Sequence, residues 1–134
     1  MKWMIASDIH GSAYYCNELL MAYKREKADR LLLGDILYHG PRNDLPKEYA
    51  PKKIIALLNE HKQDILCVRG NCDTEVDQMV LEFPILSDYC VVADEERLTY
   101  AIMKRICRLF IREISCYADI PMSQNARNMK TLSI

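Results

Sequence analysis

Three short apolar runs, each followed directly by a cluster of small and polar residues, limit this chain to few architectures. The runs cover residues 3–6, 31–33 and 65–68 and contain β-forming side chains, whereas the stretches between them have the residue spacing of helices. Strands that alternate with helices form a parallel sheet, and the carboxyl ends of parallel strands open into one crevice. The pattern therefore predicts an α/β domain with a site at that edge of the sheet.

The polar clusters contain residue types that bind divalent metal ions. Asp8 and His10 follow the first run, Asp35 follows the second, and Asn71 follows the third. Carboxylate, amide and imidazole groups are hard or borderline ligands, which suit manganese, iron or zinc better than a soft thiolate site would. A single Gly-Asp pair is usually a turn. Three clusters at three strand ends instead predict one shared site.

Helix signals fill the intervals between the apolar runs. Ser12 can cap a helix that continues to about Lys27, and Pro51 can occupy the first turn of a second helix. Both helices are expected to pack on the parallel sheet. A hairpin is expected to pair residues 89–93 with residues 97–100.

The residues of the three clusters resemble a known family. The clusters read Asp8-Ile9-His10, Gly34-Asp35 and Gly70-Asn71-Cys72-Asp73. They are similar, in order and approximate spacing, to the calcineurin-like metallophosphoesterases, and most similar to the small bacterial YfcE-type phosphodiesterases of that superfamily. The resemblance covers residues 1–99. It implies a metallophosphoesterase-like α/β fold of layered sheets and helices, and metal-dependent hydrolysis of small phosphodiester substrates.

The resemblance also implies a role for each matching residue. Asp8 and His10 would bind a first divalent ion, Asp35 would bridge it to a second ion, and Asn71 would bind the second. Manganese is the favoured metal, with iron, zinc and nickel as alternatives. Cys72 stands where many relatives have a histidine near the leaving group. A thiol with an ordinary pKa of about 8.5 can donate a proton but is a weaker acid than imidazolium, so Cys72 is either a weak catalytic acid or a small packed thiol.

The family pattern continues with three more histidine ligands that this sequence lacks. Its histidines are His10, His39 and His61, and none follows position 61. His39 is either a substrate contact or a solvated loop residue, and His61 is interpreted as the polar end of a helix. Because relatives of this type are longer and close a two-sheet sandwich, we expect the carboxyl-terminal half of the fold to be missing. We also expect this chain to be impaired or inactive.

The composition changes near residue 100. Residues 1–99 contain 12 Lys and Arg against 17 Asp and Glu, whereas residues 100–134 contain 6 against 2. Reading the codons of residues 119–122 one base earlier permits Gly-His-Thr-His, an element of the kind the family pattern requires. The hypothesis is that residues 1–99 are the amino-terminal part of a metallophosphoesterase domain and that residues 100–134 are an aberrant tail, read out of frame.

Residues 118–134 are expected to be mobile. The alternative for residues 101–117, a basic amphipathic helix on a membrane, is weakened by apolar residues that interrupt its basic side.

Charge and hydropathy exclude several partner classes. A net charge of −1 gives no electrostatic case for nucleic acid, and no apolar run approaches the length of about 20 residues that spans a membrane. Six cysteines at irregular spacing fit reduced thiols. With the first strand too close to Met1 for a signal peptide, a cytoplasmic location is expected. The sequence does not indicate an oligomeric state.

The alternative function is a non-catalytic, protein-binding scaffold of the same fold. Metal-stimulated hydrolysis would exclude this alternative.

Overall fold

The computed structural model describes residues 2–94, 97–101, 115–116 and 129–133 of the chain. The strands among them are β1 (Lys2–Ala6), β2 (Arg30–Leu33), β3 (Ile65–Cys67), β4 (Cys90–Asp94), β5 (Arg97–Ala101), β6 (Ser115–Cys116) and β7 (Met129–Ser133). The helices are α1 (Ala13–Arg25), α2 (Pro51–Asn59) and α3 (Glu75–Gln78).

The main sheet has five strands in the order β3-β2-β1-β7-β6. β1 pairs in parallel with β2, and β2 pairs in parallel with β3. On its other side, β1 pairs in antiparallel orientation with β7, which in turn pairs with β6. β4 and β5 form a separate hairpin, as the sequence predicts. The parallel arrangement of β1, β2 and β3 confirms the predicted α/β class and directs the loops after these strands to one edge.

The two longer helices begin where the sequence predicts. Ser12 caps α1, because its Oγ accepts a hydrogen bond from the backbone N–H of Tyr15 at 3.2 Å. Pro51 occupies the first turn of α2, where its missing N–H costs no helical hydrogen bond. None of the described helices combines the length and apolarity that crossing a membrane requires.

The hydrophobic core lies between one face of the parallel strands and the helices α1 and α2. Its fully buried members include residues of β1, β2, α1 and α2: Met4, Leu19, Leu31, Leu33, Ile54 and Leu58. Burial of these side chains fixes the positions of the strands relative to the helices. The loops that leave the carboxyl ends of β1, β2 and β3 therefore start from a packed base.

The carboxyl-terminal strands correct two expectations. Residues 129–133 pair along the whole of β1, so the expectation that residues 118–134 are mobile is wrong for this segment. An edge of β1 without a partner would expose a row of backbone N–H and C=O groups, and β7 pairs with that edge. The alternative of a helix over residues 101–117 is wrong where that range is described, since β5 ends and β6 lies within it. The out-of-frame hypothesis for residues 100–134 stays a prediction.

Candidate metal centre

Three of the four predicted ligands lie together at the carboxyl edge of the parallel strands. Asp8 and His10 belong to the loop after β1, and Asp35 belongs to the loop after β2. Each offers one oxygen or nitrogen atom, and these ligand atoms all lie within 4.8 Å of one another. Such spacing allows all three to bind one cation. The predicted grouping of these three residues is therefore present in the structure.

All three of these residues have a backbone in the left-handed region. Five non-glycine residues among those described have a positive φ, and three of the five are Asp8 (64°), His10 (49°) and Asp35 (50°). Side chains disfavour this left-handed region, so residues adopt it only where surrounding contacts impose it. Strain of this kind concentrates at functional sites.

Backbone hydrogen bonds join the loop after β1 to the loop after β2, an arrangement we call the β1–β2 loop contact. The N–H groups of Asp8, His10 and Gly11 donate to the carbonyl oxygens of Gly34, Asp35 and Ile36 at 3.3, 3.0 and 2.9 Å, respectively. These bonds join the two loops directly beyond the carboxyl ends of β1 and β2. The positions of Asp8 and His10 relative to Asp35 are thus set by main-chain groups.

The ring of His10 is oriented by a backbone carbonyl. Its Nδ1 lies 2.7 Å from the carbonyl oxygen of Tyr38, which can only accept a hydrogen bond, so Nδ1 carries a proton and donates. Nε2 faces Asp8 Oδ1 at 3.2 Å. The hydrogen bond to Asp8 raises the pKa of His10, and the same bond lowers the pKa of Asp8. Metal-binding histidines are commonly held in this way, with one ring nitrogen bound to a carbonyl and the other turned toward the ligand position.

The carboxylate of Asp35 is buried, with 7 % of the residue exposed. Its Oδ1 accepts the backbone N–H of Cys72 at 2.7 Å. Desolvation raises the pKa of Asp35, and the nearby carboxylates of Asp73 and Asp8 raise it further. Gly70 lies directly against the carboxyl group, since a Cβ at this position would overlap it. The turn after β3 therefore packs closely around this side chain.

Asp73 is the site residue to which the sequence analysis assigns no role. It is 2 % exposed and accepts three backbone N–H groups: those of Asp35 at 2.8 Å, Ile36 at 2.9 Å and Gly70 at 2.8 Å. The first two belong to the loop after β2 and the third to the loop after β3. We call this arrangement the β2–β3 loop contact. The sequence places Asp73 at the end of the third polar cluster, which is a reason to expect it near the site. The sequence does not show that its partners are backbone N–H groups.

The other two predicted site residues lie beside the three grouped ligands. Asn71 is exposed, and its Nδ2 lies 3.2 Å from the Sγ atom of Cys72. Burial raises the pKa of the Cys72 thiol, and the carboxylate of Asp35 raises it further. The thiol therefore keeps its proton at neutral pH. The ligand role of Asn71 and the catalytic role of Cys72 stay predictions.

Aromatic residues pack at the rim of the site. The ring of His39 makes edge contacts with the rings of Tyr38 and Tyr49, at centroid distances of 5.2 and 5.1 Å. His39 is half-buried in the loop, so it is only partly solvated, and its role as a substrate contact stays a prediction. His61 at the end of α2 packs against Tyr23. Neither histidine belongs to the group of ligands formed by Asp8, His10 and Asp35.

The donor set of the site fits a divalent cation. Two carboxylates and one imidazole are the hard and borderline ligands that manganese, iron and zinc accept. His10 is held by Tyr38 with Nε2 directed at Asp8, and Asp35 is held by the turn at Gly70. The ligands are therefore positioned by protein contacts.

Comparison with protein families agrees with this geometry. The family model described as calcineurin-like phosphoesterase matches residues 1–128. The chain belongs to the calcineurin-like phosphoesterase family. Members of this family bind divalent metal ions, and the group formed by Asp8, His10 and Asp35 is a possible ligand set for one. The expected metallophosphoesterase-like fold is confirmed.

Similar proteins place the chain within the family. It is 49 % identical over 100 residues to "Phosphodiesterase YfcE" of Escherichia coli strain K12, and equally similar to the proteins of that name in two other E. coli strains, O6:H1 and O157:H7. The match covers 73 % of this chain and 54 % of each relative. A solved structure described as Yfce, a phosphoesterase from E. coli, has 46 % identity and a TM-score of 0.74, and the match covers 76 % of this chain and 57 % of that one. The chain thus spans about half the length of the curated relatives that it matches.

Proposed function

We propose that this chain carries one side of a phosphodiesterase metal centre, in which Asp8, His10 and Asp35 bind a divalent ion. The observation that carries the proposal is the approach of their three ligand atoms to within 4.8 Å of one another. Two of the three are on a single loop, and the third is joined to that loop by main-chain hydrogen bonds. The family membership and the similarity to a relative named phosphodiesterase support hydrolysis of phosphodiester bonds in small substrates.

The proposal extends to a second ion shared through Asp35 and Asn71. Manganese is the favoured metal for both positions, and iron, zinc and nickel are the alternatives. The second ion would have only Asp35 and Asn71 as protein ligands among the residues assigned here, and water ligands bind an ion less tightly than protein ligands do. We therefore expect the second position to bind weakly in this chain.

The chain's own residues prepare the site for phosphoryl chemistry. When bound, divalent ions supply Lewis-acid polarisation of a phosphoryl oxygen and offset the charge that develops on it. His10 presents Nε2 because Nδ1 is hydrogen-bonded to Tyr38. Burial raises the pKa of the Cys72 thiol, next to the ligand loop, so it would donate its proton to a leaving group only weakly.

The activity of this chain is proposed to be impaired. This proposal rests on the sequence of residues 1–134, which contains none of the three later histidines that the family pattern requires. A cytoplasmic location, small phosphodiester substrates, and no nucleic-acid or membrane partner remain part of the proposal. No observation favours the alternative of a protein-binding scaffold.

Calorimetry with Mn²⁺ on the full chain tests the metal centre. We expect one ion to bind with a dissociation constant in the micromolar range or weaker, an order-of-magnitude estimate from the ligand count, and no detectable hydrolysis of a chromogenic phosphodiester. Asp8→Asn should weaken this binding, whereas the matched control Asp29→Asn should not. Asp29 directly precedes β2 and so lies at the amino ends of the parallel strands, opposite the site. Two tight sites with turnover would contradict the impairment. No binding to the unaltered chain would contradict the centre itself.

The proposed division at residue 99 has a separate test. We propose that residues 1–99 belong to the metallophosphoesterase domain and that residues 100–134 are read out of frame. The nucleotide sequence decides this directly: a frame shifted by one base should encode Gly-His-Thr-His across residues 119–122. A coding sequence without that element in the shifted frame would exclude the hypothesis.

A further inference from the structure

Asp73 connects the loop that carries Asp35 to the loop that carries Asn71. Its Oδ2 accepts the N–H groups of both Asp35 and Gly70, each at 2.8 Å, and its Oδ1 accepts the N–H of Ile36 at 2.9 Å. A single oxygen atom therefore joins the two loops, and the second oxygen fixes the next residue of one of them. The partners in the loop after β2 lie 38 and 37 residues away in the sequence.

The N–H of Asp35 is the group whose position matters most for the site. Asp35 has a φ of 50°, in the left-handed region that few residues other than glycine adopt. Its carboxyl group lies against Gly70, and the N–H of Cys72 donates to its Oδ1. The hydrogen bonds to Asp73 hold the backbone of Asp35 and the turn around its side chain at the same time.

We propose that Asp73 is a positioning residue, which holds Asp35 in its ligand conformation before any metal ion binds. The inference rests on the proposed metal centre and assigns a residue that acts on the centre through another residue. Asp73 acts through main-chain groups, so the side chain of Asp35 remains directed toward Asp8 and His10.

A carboxylate suits this position better than a neutral side chain. Three N–H donors converge on it, and an ionised acceptor forms shorter and stronger hydrogen bonds than a neutral one does. An asparagine has one acceptor oxygen and one NH₂ group, so its NH₂ would face N–H donors. At least one buried N–H of the β2–β3 loop contact would then lack an acceptor.

The decisive comparison is between Asp73→Asn and Asp77→Asn. Asp77 is a matched control because it lies in the same segment and also accepts a backbone N–H, that of Thr74 at 2.8 Å, but it caps α3. Mn²⁺ affinity is measured by calorimetry at a temperature where circular dichroism shows each variant to be folded. We expect Asp73→Asn to weaken Mn²⁺ binding roughly 10- to 100-fold, the usual effect of losing a residue that orients a ligand. Asp77→Asn should bind like the unaltered chain, although both variants lose thermal stability.

Hydrogen exchange on the unaltered chain tests the inference without a substitution, and so covers the case in which Asp73→Asn does not fold. Without metal, the amides of Asp35, Ile36 and Gly70 should already exchange slowly, at least tenfold more slowly than the exposed loop amide of Arg42. Slow exchange only after Mn²⁺ is added would mean that the ion forms the site, which would overturn the inference.

The remaining outcomes are distinct. Equal Mn²⁺ affinity in Asp73→Asn and the unaltered chain would overturn the positioning role while leaving the metal centre intact. Equal weakening in Asp73→Asn and Asp77→Asn would show that the effect comes from general loosening of residues 73–77, which also overturns it. Absence of Mn²⁺ binding to the unaltered chain would overturn the proposed function itself, and the positioning role with it.

Discussion

The two loop contacts of the site are built from different groups. The β1–β2 loop contact consists of main-chain hydrogen bonds between the loops that follow two parallel strands. The β2–β3 loop contact depends on the side chain of one residue, Asp73, which accepts N–H groups from both loops. Gly70 also packs against the carboxyl group of Asp35. A main-chain contact survives most substitutions, whereas a contact made by one carboxylate is lost with it. We therefore expect the metal centre to be robust on one side and sensitive on the other.

The largest effect is expected from Asp35→Asn, because Asp35 belongs to both contacts and supplies a ligand. The substitution preserves size and removes the negative charge that a divalent ion requires. We expect Mn²⁺ binding to fall below the detection limit of calorimetry. Asp29→Asn serves again as the control. Binding by Asp35→Asn close to that of the unaltered chain would show that the ion lies elsewhere.

Gly70→Ala probes the side-chain-dependent contact without removing Asp73. The new methyl group would overlap the Asp35 carboxyl group, so that group must move. We expect Mn²⁺ affinity to fall roughly 10- to 100-fold, as for other changes that displace a ligand. Gly40→Ala is the control for backbone strain: its φ of 79° disfavours alanine, but the nearest atoms to its new methyl group, Asn43 Nδ2 and Cys72 Sγ, lie at 3.3 and 3.6 Å, so it should lower stability without displacing the Asp35 carboxyl group. A larger loss of affinity in the control would contradict the assigned role of Gly70.

Gly11→Ala probes the main-chain contact. Gly11 has a φ of 81°, and a Cβ there would overlap the Tyr49 ring and lie 2.6 Å from the carbonyl oxygen of Leu37. We expect the free energy of unfolding to fall by about 1–2 kcal/mol from the backbone conformation alone, with more from the overlap. Chemical denaturation measures this change. Gly11 supplies no ligand, so the folded variant should keep Mn²⁺ affinity within about threefold of the unaltered chain. That is less than the tenfold change that about 1.4 kcal/mol of binding free energy would produce. A loss of affinity greater than that of Gly70→Ala would reverse the proposed ranking of the two contacts.

The smallest effect on metal binding is expected from Cys72→Ser. The group of Cys72 that holds Asp35 is its backbone N–H, which serine retains. Mn²⁺ affinity should therefore be unchanged. In a version of the protein with the shifted frame restored, loss of a weak acid should reduce turnover by at most roughly 10²- to 10⁴-fold, and by less than Asp35→Asn does. Equal losses of turnover in these two variants would contradict the assigned roles.

The elements that sequence predicts well here are those with local signals. The strands β1, β2 and β3 are short apolar runs, Ser12 is a cap, and Pro51 marks the start of a helix. The segment β7 was missed, because its pairing with β1 joins residues more than a hundred positions apart and leaves no local pattern. The polar composition of residues 118–134 predicts a mobile end, but non-local pairing with β1 makes part of this segment a strand.

The candidate site divides in the same way. Asp8, His10 and Asp35 could be predicted because ligand side chains at the ends of parallel strands must converge. Asp73 could not be assigned, since its three partners are backbone N–H groups, which every residue except proline has. The contact between His10 and the carbonyl of Tyr38 is hidden from sequence for the same reason.

The use of that carbonyl has an evolutionary consequence. Because His10 is oriented by the main chain of Tyr38, the Tyr38 side chain, with 39 % of the residue exposed at the rim, takes no part in holding the ligand. Residue 38 can change its side chain while its carbonyl stays in place. Loops around a rigid scaffold are where new specificities arise. Position 38 can therefore vary without rebuilding the metal ligands.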